Sequence, residues 1–271
     1  MVLYSLRTYI KEVILRMKLY DLSSYWEANP MAEPWRLEVE FSSSEEQAEQ
    51  MAEKLGISAD DFPDRLMMAG EHISGEFLFH IGTHCDAPFH FGPKCEGKPA
   101  RTIDELPLED FIGNGVVFDM RHKGPRSGIT VEDLKKALSE MNYTIQKGDI
   151  ALIMTGYDKH IYTEKYLQDQ PGMTGEATEW LIDQGIKLMG IDAYTFDRPF
   201  GAMVNDVKAG NKEALFPSHF IGRKKEYYHI EKLANLDQLP VKFGFTFCAF
   251  PIKVKGGTAG SVRAVAMVNN D

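Results

Sequence analysis

Cysteine is scarce in this chain: three thiols in 271 residues, Cys85, Cys95 and Cys248, none of them in a CxxC pair. An odd count without that spacing excludes a disulfide framework and a thiolate zinc knuckle, and it fits a reducing compartment. Long apolar runs are also missing. None approaches the roughly 18 residues of a membrane span. Residues 1–16 (MVLYSLRTYIKEVILR) mix charges and lack a clean apolar h-region, so they do not read as a secretory signal. They are expected to be an extension ahead of a second start at Met17, with the cytoplasm as compartment. Positive charge is in deficit, with 30 Lys and Arg against 40 Asp and Glu for a net charge of −10. That excludes nucleic acid as the main partner, because phosphate binding needs concentrated cations. Repeats, low-complexity tracts and Gly/Ser/Pro-rich linkers are absent too, which predicts one domain over residues 17–271.

Apolar residues make up 44% of the chain and charged residues 26%, the balance of a soluble globular protein. A chain of this length buries roughly 70–75% of its unfolded surface. It needs no metal to hold together, so a metal site would be there for chemistry. Three polar or amphipathic helices open on capping signals: Ser43 or Ser44 before EEQAEQMAEKLG with Gly56 as stop, Thr130 before VEDL, and Thr174 before GEAT with a stop at Gly185. Strands are expected at 18–23, 75–80 (GEFLFH), 115–120 (GVVFDM), 149–155 (DIALIMT), 187–192 (KLMGID), 243–254 (FGFTFCAFPIKV) and 262–268 (VRAVAMV). Several are apolar without alternation, which indicates burial on both faces. Strands interleaved with helices predict an α/β fold with a mixed sheet and flanking helices.

The chemistry-bearing segment is HIGTHCDAPFH, which places His80, His84, Asp86 and His90 within eleven residues. In a helix, His80 and His84 would share a face, but Asp86 would lie about 120° and His90 about 80° away from it. Gly82 and Pro88 also oppose a helix. In a straight strand all four side chains would share a face, with His80 and His90 roughly 33 Å apart. A strand ending near His80, a tight turn at Gly82-Thr83 and a rigid loop at Ala87-Pro88 would gather all four into one pocket. Imidazole with carboxylate is a donor set for Zn²⁺ or Mn²⁺ with an open coordination position. Any one of these histidines alone would read as an ordinary core or surface residue; four such groups together read as a metal site. Cys85 reads as a small filler rather than a ligand.

This stretch resembles the signature of the cyclase family of metal-dependent hydrolases, to which bacterial kynurenine formamidases and isatin hydrolases belong. The segments TIDELPLE (102–109), GVVFD (115–119), GIKLMGID (185–192), KVKGG (253–257) and SVRAV (261–265) are similar as well. The resemblance implies a swivelling β/β/α fold and a homodimer. It also implies that His80, His84 and Asp86 ligate one divalent ion, and that His90 is the catalytic histidine. In two-metal members, the counterpart of Asp86 bridges to a second ion held by a distant histidine and a glutamate twelve residues later. His219 and Glu231 have that separation within PSHFIGRKKEYYHIEK. A continuous helix would leave them about 120° apart, so only a fold can bring them together. His229 competes for the role and is expected at the surface. Zinc or manganese, and one ion or two, stay open.

The donor set implies hydrolysis of a small amide, formamide or cyclic amide by metal-activated water, with His90 moving the proton. A lactone or cyclic ester hydrolase of the same family, and a non-catalytic metal-binding protein, are the alternatives. Kynurenine formamidases carry Pro-Gly-Asp and Thr-Pro-Ser elements where this chain has WEANPM (26–31) and AYTFD (193–197). N-formylkynurenine is therefore not the favoured substrate. Trp26, Trp35, Tyr194 and Phe196 are expected to be packing residues, with an aromatic pocket as the alternative. Tyr166, Tyr227 and Tyr228 are expected to be half-exposed because charged residues surround them. The run Arg223-Lys224-Lys225 and Arg198 are expected to be solvated or surface-paired.

Overall fold

A computed structural model describes residues 17–33 and 37–269. The expected extension at 1–16 and Trp35 lie outside the described residues. The described chain divides into two compact units, one spanning Glu27–Leu78 and the other running through Trp26 and then from Phe79 onward.

The larger unit is built on a nine-stranded mixed sheet. In chain order its strands are β1 (Met17–Asp21), β2 (His84–Asp86), β3 (Ile112–Asp119), β4 (Ile150–Met154), β5 (Leu188–Ile191), β6 (Tyr228–Glu231), β7 (Phe245–Cys248), β8 (Ala259–Ser261) and β9 (Val265–Asn269). Across the sheet they run β1-β9-β7-β3-β4-β5-β6-β2-β8. β3, β4, β5 and β6 are mutually parallel. The apolar, non-alternating sequences of β4 and β5 follow from burial on both faces; every residue of β4, β5 and β6 is buried. One face packs Val116, Phe118, Ala151, Ile153, Met189 and Ile191 against Leu134, Ala137, Ala177 and Leu181. These last four come from the helices Val131–Met141 and Gly175–Asp183. The opposite face packs Cys85, Val117, Leu152, Leu188, Tyr228 and Ile230 with Phe245 and Phe247. Cys85 is the small core filler the sequence predicted.

Helix starts follow their caps. Thr130 and Asp133 form a reciprocal capping box, and the Thr174 hydroxyl accepts from Ala177 N. In the smaller unit, Ser43 and Glu46 box the start of the helix Ser44–Leu55, which stops at Gly56 in a left-handed conformation. The same unit holds an antiparallel pair, Leu37–Ser42 with Gly70–Gly75.

Two strand expectations are corrected. The strand placed at 75–80 ends at Gly75, whose φ of 95° turns the chain out of an extended path. The long strand at 243–254 shrinks to Phe245–Cys248: Gly244 sits at φ 80° before it, and Pro251 offers no N–H after it. No helix among the described residues is long and apolar enough to cross a membrane.

Asp192, just past β5, is almost fully buried and accepts from Thr155 N and Oγ1, each at 2.6 Å, and from Gly156 N at 2.8 Å. Burial, reinforced by the nearby Asp158 carboxylate, pushes its pKa up to about 7. The folded chain then holds this proton more tightly than the unfolded chain does. Its contribution to stability falls as pH rises from about 4 to about 7 and is level above that. Relative to Asp192→Asn, the wild type should lose up to a few kcal/mol over that window, at about 1.4 kcal/mol per pH unit. Urea denaturation of both proteins at each end of the window checks this; parallel pH profiles would refute it.

Candidate metal centre

The site grows from the register of two antiparallel strands. β2 pairs with β6 so that His84 lies opposite Glu231 and Asp86 opposite His229. Residues two apart in a strand share a face, so these four side chains project from one side of the sheet. Cys85, Ile230 and Tyr228 project into the core on the other side.

The approach to β2 is a turn that only glycine permits. Gly82 has φ +55°, and a Cβ there would meet Trp26 Cδ1 at 2.8 Å and the Tyr25 carbonyl at 3.1 Å. Trp26 Nε1 donates to the Ile81 carbonyl and Ser261 Oγ, each at 3.1 Å. This turn folds His80 back, so that its Nδ1 lies 2.8 Å from Asp86 Oδ1 while Nε2 lies 3.2 Å from Thr258 Oγ1. Past β2, Pro88 opens a single helical turn, Pro88–Phe91, where the sequence predicted a rigid loop. That turn sets His90 four residues beyond Asp86, with Nε2 3.8 Å from Oδ2.

His219 comes from the short helix Pro217–Ile221. Its Nδ1 lies 2.6 Å from Asp197 Oδ2, and the same carboxylate accepts from the Ser218 and His219 backbone N–H groups. His219 Nε2 then stands 3.7 Å from both Asp86 Oδ2 and Glu231 Oε1. Glu231 is held in turn by Thr195 Oγ1 and Phe196 N, each donating to Oε1 at 2.8 Å. The segment 193–197 thus fixes both Glu231 and His219.

All six sequence-predicted site residues, His80, His84, Asp86, His90, His219 and Glu231, converge here. His229 is a correction. It is fully buried rather than at the surface, with Nε2 3.2 Å from Asp86 Oδ2 and 3.4 Å from Glu231 Oε1. Alternation was the available signal: in a strand, the H-x-E of YHIE puts His229 beside Glu231. Asp197 and Thr195 were also missed, since nothing local marks a residue that orients another. The three tyrosines are corrected as well, for all are fully buried. Tyr227 stacks on Phe91 at 5.2 Å and donates to the Ser218 carbonyl; Tyr228 stacks on Phe111 and bonds Asp110. Phe196 stacks on the His229 ring at 4.5 Å, a packing role. Arg198 pairs with Asp206, and Lys225 with Glu179 and Asp183.

Proton accounting tests whether these residues fit a cation. The Gly82 carbonyl, 2.9 Å from His84 Nδ1, can only accept, so that nitrogen carries the hydrogen. The Asp197 carboxylate imposes the same tautomer on His219. Tyr227 spends its hydroxyl hydrogen on Ser218 O, leaving a lone pair for His229 Nδ1–H at 3.1 Å. In the neutral imidazoles all three Nε2 atoms therefore present bare lone pairs to the Asp86 and Glu231 carboxylates. His84 Nε2, His229 Nε2 and Asp86 Oδ2 are buried without a hydrogen-bond partner, while Asp86 Oδ1 has His80 Nδ1 at 2.8 Å. Acceptors facing acceptors in a buried space are costly unless a positive charge sits among them. A proton can play that part on His229, whose pKa Asp86 and Glu231 raise to about 9 against the burial that opposes its charge. Burial alone would raise Asp86, yet the surrounding imidazoles, His90 and His80 first, hold it well below the usual carboxylate range. The donors form two overlapping sets, His80–His84–Asp86 and Asp86–His219–His229–Glu231. They fit a divalent metal. An imidazole–carboxylate set without thiolate is the donor chemistry of a candidate metal centre.

The chain belongs to the cyclase family: the family model described as "Putative cyclase" matches residues 17–198. It is 29% identical over 198 residues to an isatin hydrolase of Roseibium aggregatum, covering 70% of this chain and 72% of that protein. It is also 29% identical over 186 residues to a kynurenine formamidase of Erythrobacter litoralis, covering 69% and 72%. The fold matches the crystal structure of an isatin hydrolase bound to the product analogue thioisatinate, with TM-score 0.72, 24% identity and 98% of each chain covered.

Proposed function

We propose that this protein is a divalent-metal-dependent hydrolase that cleaves a C–N bond in a small amide, formamide or cyclic amide. His80, His84, Asp86, His219 and Glu231 are the proposed metal ligands, and His90 carries the proton. The observation that supports this reading most is the convergence of imidazole Nε2 atoms, their Nδ1–H groups committed elsewhere, on the buried Asp86 carboxylate. The relatives' names, isatin hydrolase and kynurenine formamidase, both denote cleavage of a C–N bond.

A bound divalent ion, zinc or manganese, supplies a Lewis acid for a substrate carbonyl and lowers the pKa of water from 15.7 to about 7. The protein's own contribution is positioning and proton transfer. Asp197 and the Gly82 carbonyl fix the ring orientation and tautomer of His219 and His84, which makes each ring a stronger donor. His90 differs from its neighbours: its side chain keeps 34% exposure, against 1% for His84. Its ring lies 4.2 Å from that of His80 and 5.6 Å from that of His219. It therefore borders both the donor cluster and solvent, where a proton must be taken from water and delivered to a leaving nitrogen. A homodimer belongs to the same proposal.

The test is elemental analysis and light scattering of the purified chain, with hydrolysis assays on formamides, lactams, linear amides, imides and lactones. The reading expects bound divalent metal, a dimer, and turnover of amide-type substrates that a strong chelator abolishes. Turnover of lactones alone would move the chain to ester chemistry. A metal-loaded chain inactive on every class would overturn the enzyme reading.

A further inference from the structure

We propose that His229 is a fourth protein ligand of a second cation, closing with Asp86, His219 and Glu231 a subsite that retains its ion while the ion at His80, His84 and Asp86 exchanges. This rests on the metal-dependent reading above and divides the labour within it.

Four atoms meet at the buried end of the cluster. His229 Nε2 lies 3.2 Å from Asp86 Oδ2 and 3.4 Å from Glu231 Oε1. His219 Nε2 lies 3.7 Å from each of the same two oxygens. A tetrahedron of ligands with bonds of about 2.0–2.2 Å has edges of about 3.3–3.6 Å, the range these separations bracket. The His229 tautomer is set from outside the cluster by the relay from His229 Nδ1–H to the Tyr227 hydroxyl and on to the Ser218 carbonyl. With Nδ1–H committed there, Nε2 is the nitrogen left to face Asp86 and Glu231. Phe196 stacks flat on the ring at 4.5 Å, Phe91 lies at 5.2 Å, and His229 has no exposed surface. The subsite is nearly closed to water, with side-chain exposure of 10% at His219 and 9% at Glu231 and almost none at His229 and Asp86.

The other set differs in both respects. His80, His84 and Asp86 supply three donors, the His80 side chain is 21% exposed, and His90 borders it at the solvent edge. Closed four-ligand sites hold a metal permanently, whereas three protein ligands leave a position for water or substrate. The two oxygens of Asp86 divide between the sets, Oδ1 toward His80 and His84 and Oδ2 toward His229 and His219.

The experiment strips the full-length protein with a strong chelator and titrates it with Zn²⁺, then with Co²⁺, whose intense visible bands report four-coordination. Wild type should bind two equivalents, one surviving dialysis against a weak chelator. His229→Ala should lose that retained equivalent, with affinity down by more than the ~10–100-fold that removing an outer-shell partner costs, and should lose the four-coordinate Co²⁺ bands. His80→Ala should lose the exchangeable equivalent and keep the bands. His229→Gln, which preserves side-chain volume, should behave as His229→Ala does and covers a failure of the smaller variant to fold. A His229 variant that retains both equivalents and an unaltered spectrum overturns the proposal. So does a wild type that takes up one equivalent, the hydrolase reading then surviving. A wild type that binds no divalent ion sinks both.

Discussion

Asp86→Ala should yield a folded chain with almost no bound divalent metal and almost no turnover. Asp86 has the most neighbours in the centre, with His80, His84, His219, His229 and His90 all within 3.8 Å of its two oxygens. It is fully buried, and the imidazoles around it hold it ionised against that burial. Without its charge, five imidazoles are left with Glu231 as the carboxylate that faces their Nε2 side, Asp197 being committed to His219 Nδ1. Both donor sets lose a member, so removal of Asp86 harms both subsites, unlike removal of any single histidine. Lewis-acid assistance is worth several kcal/mol of transition-state stabilisation, so kcat/KM should fall by about 10³-fold or more. Elemental analysis and kinetics on the same preparation check the two losses together. Full metal content in Asp86→Ala would contradict the ligand assignment.

His90→Ala should separate the two properties. Metal content stays at the wild-type level, because His90 lies at the solvent edge and belongs to neither donor set. Turnover should fall about 10²- to 10⁴-fold, the usual worth of a positioned proton carrier. Burial, and then the adjacent His80 and His219 rings, depress His90 to about 4 despite the pull of Asp86. The imidazole is thus neutral near pH 7. Wild-type turnover in this variant would remove His90 from the mechanism, and a loss of metal would make it a ligand instead.

What was legible in the sequence was local. The caps at Ser43, Thr130 and Thr174 and the buried central strands could be read because a hydrogen-bonded turn or an apolar run needs only neighbouring residues. HIGTHCDAPFH was legible for the same reason, since Gly82 and Pro88 leave the segment few ways to go. His219 and Glu231 were found through resemblance to relatives, not from spacing. The strand ends at Gly75 and Phe245 were misjudged because a β-prone composition does not mark where hydrogen-bond partners stop.

The amino-acid order alone therefore determined a candidate metal-binding segment and an α/β framework to carry it. Tertiary structure decided the rest of the donor set. Whether His229 faces the core or the Asp86 and Glu231 carboxylates depends on pairing Asp86 with His229 and not with Ile230; a slip of one residue would turn the His229 and Glu231 side chains into the core. Asp197 likewise becomes the partner of His219 only when a loop and a short helix meet. Such contacts are set by the register and packing of segments remote in the chain, and no local propensity encodes them.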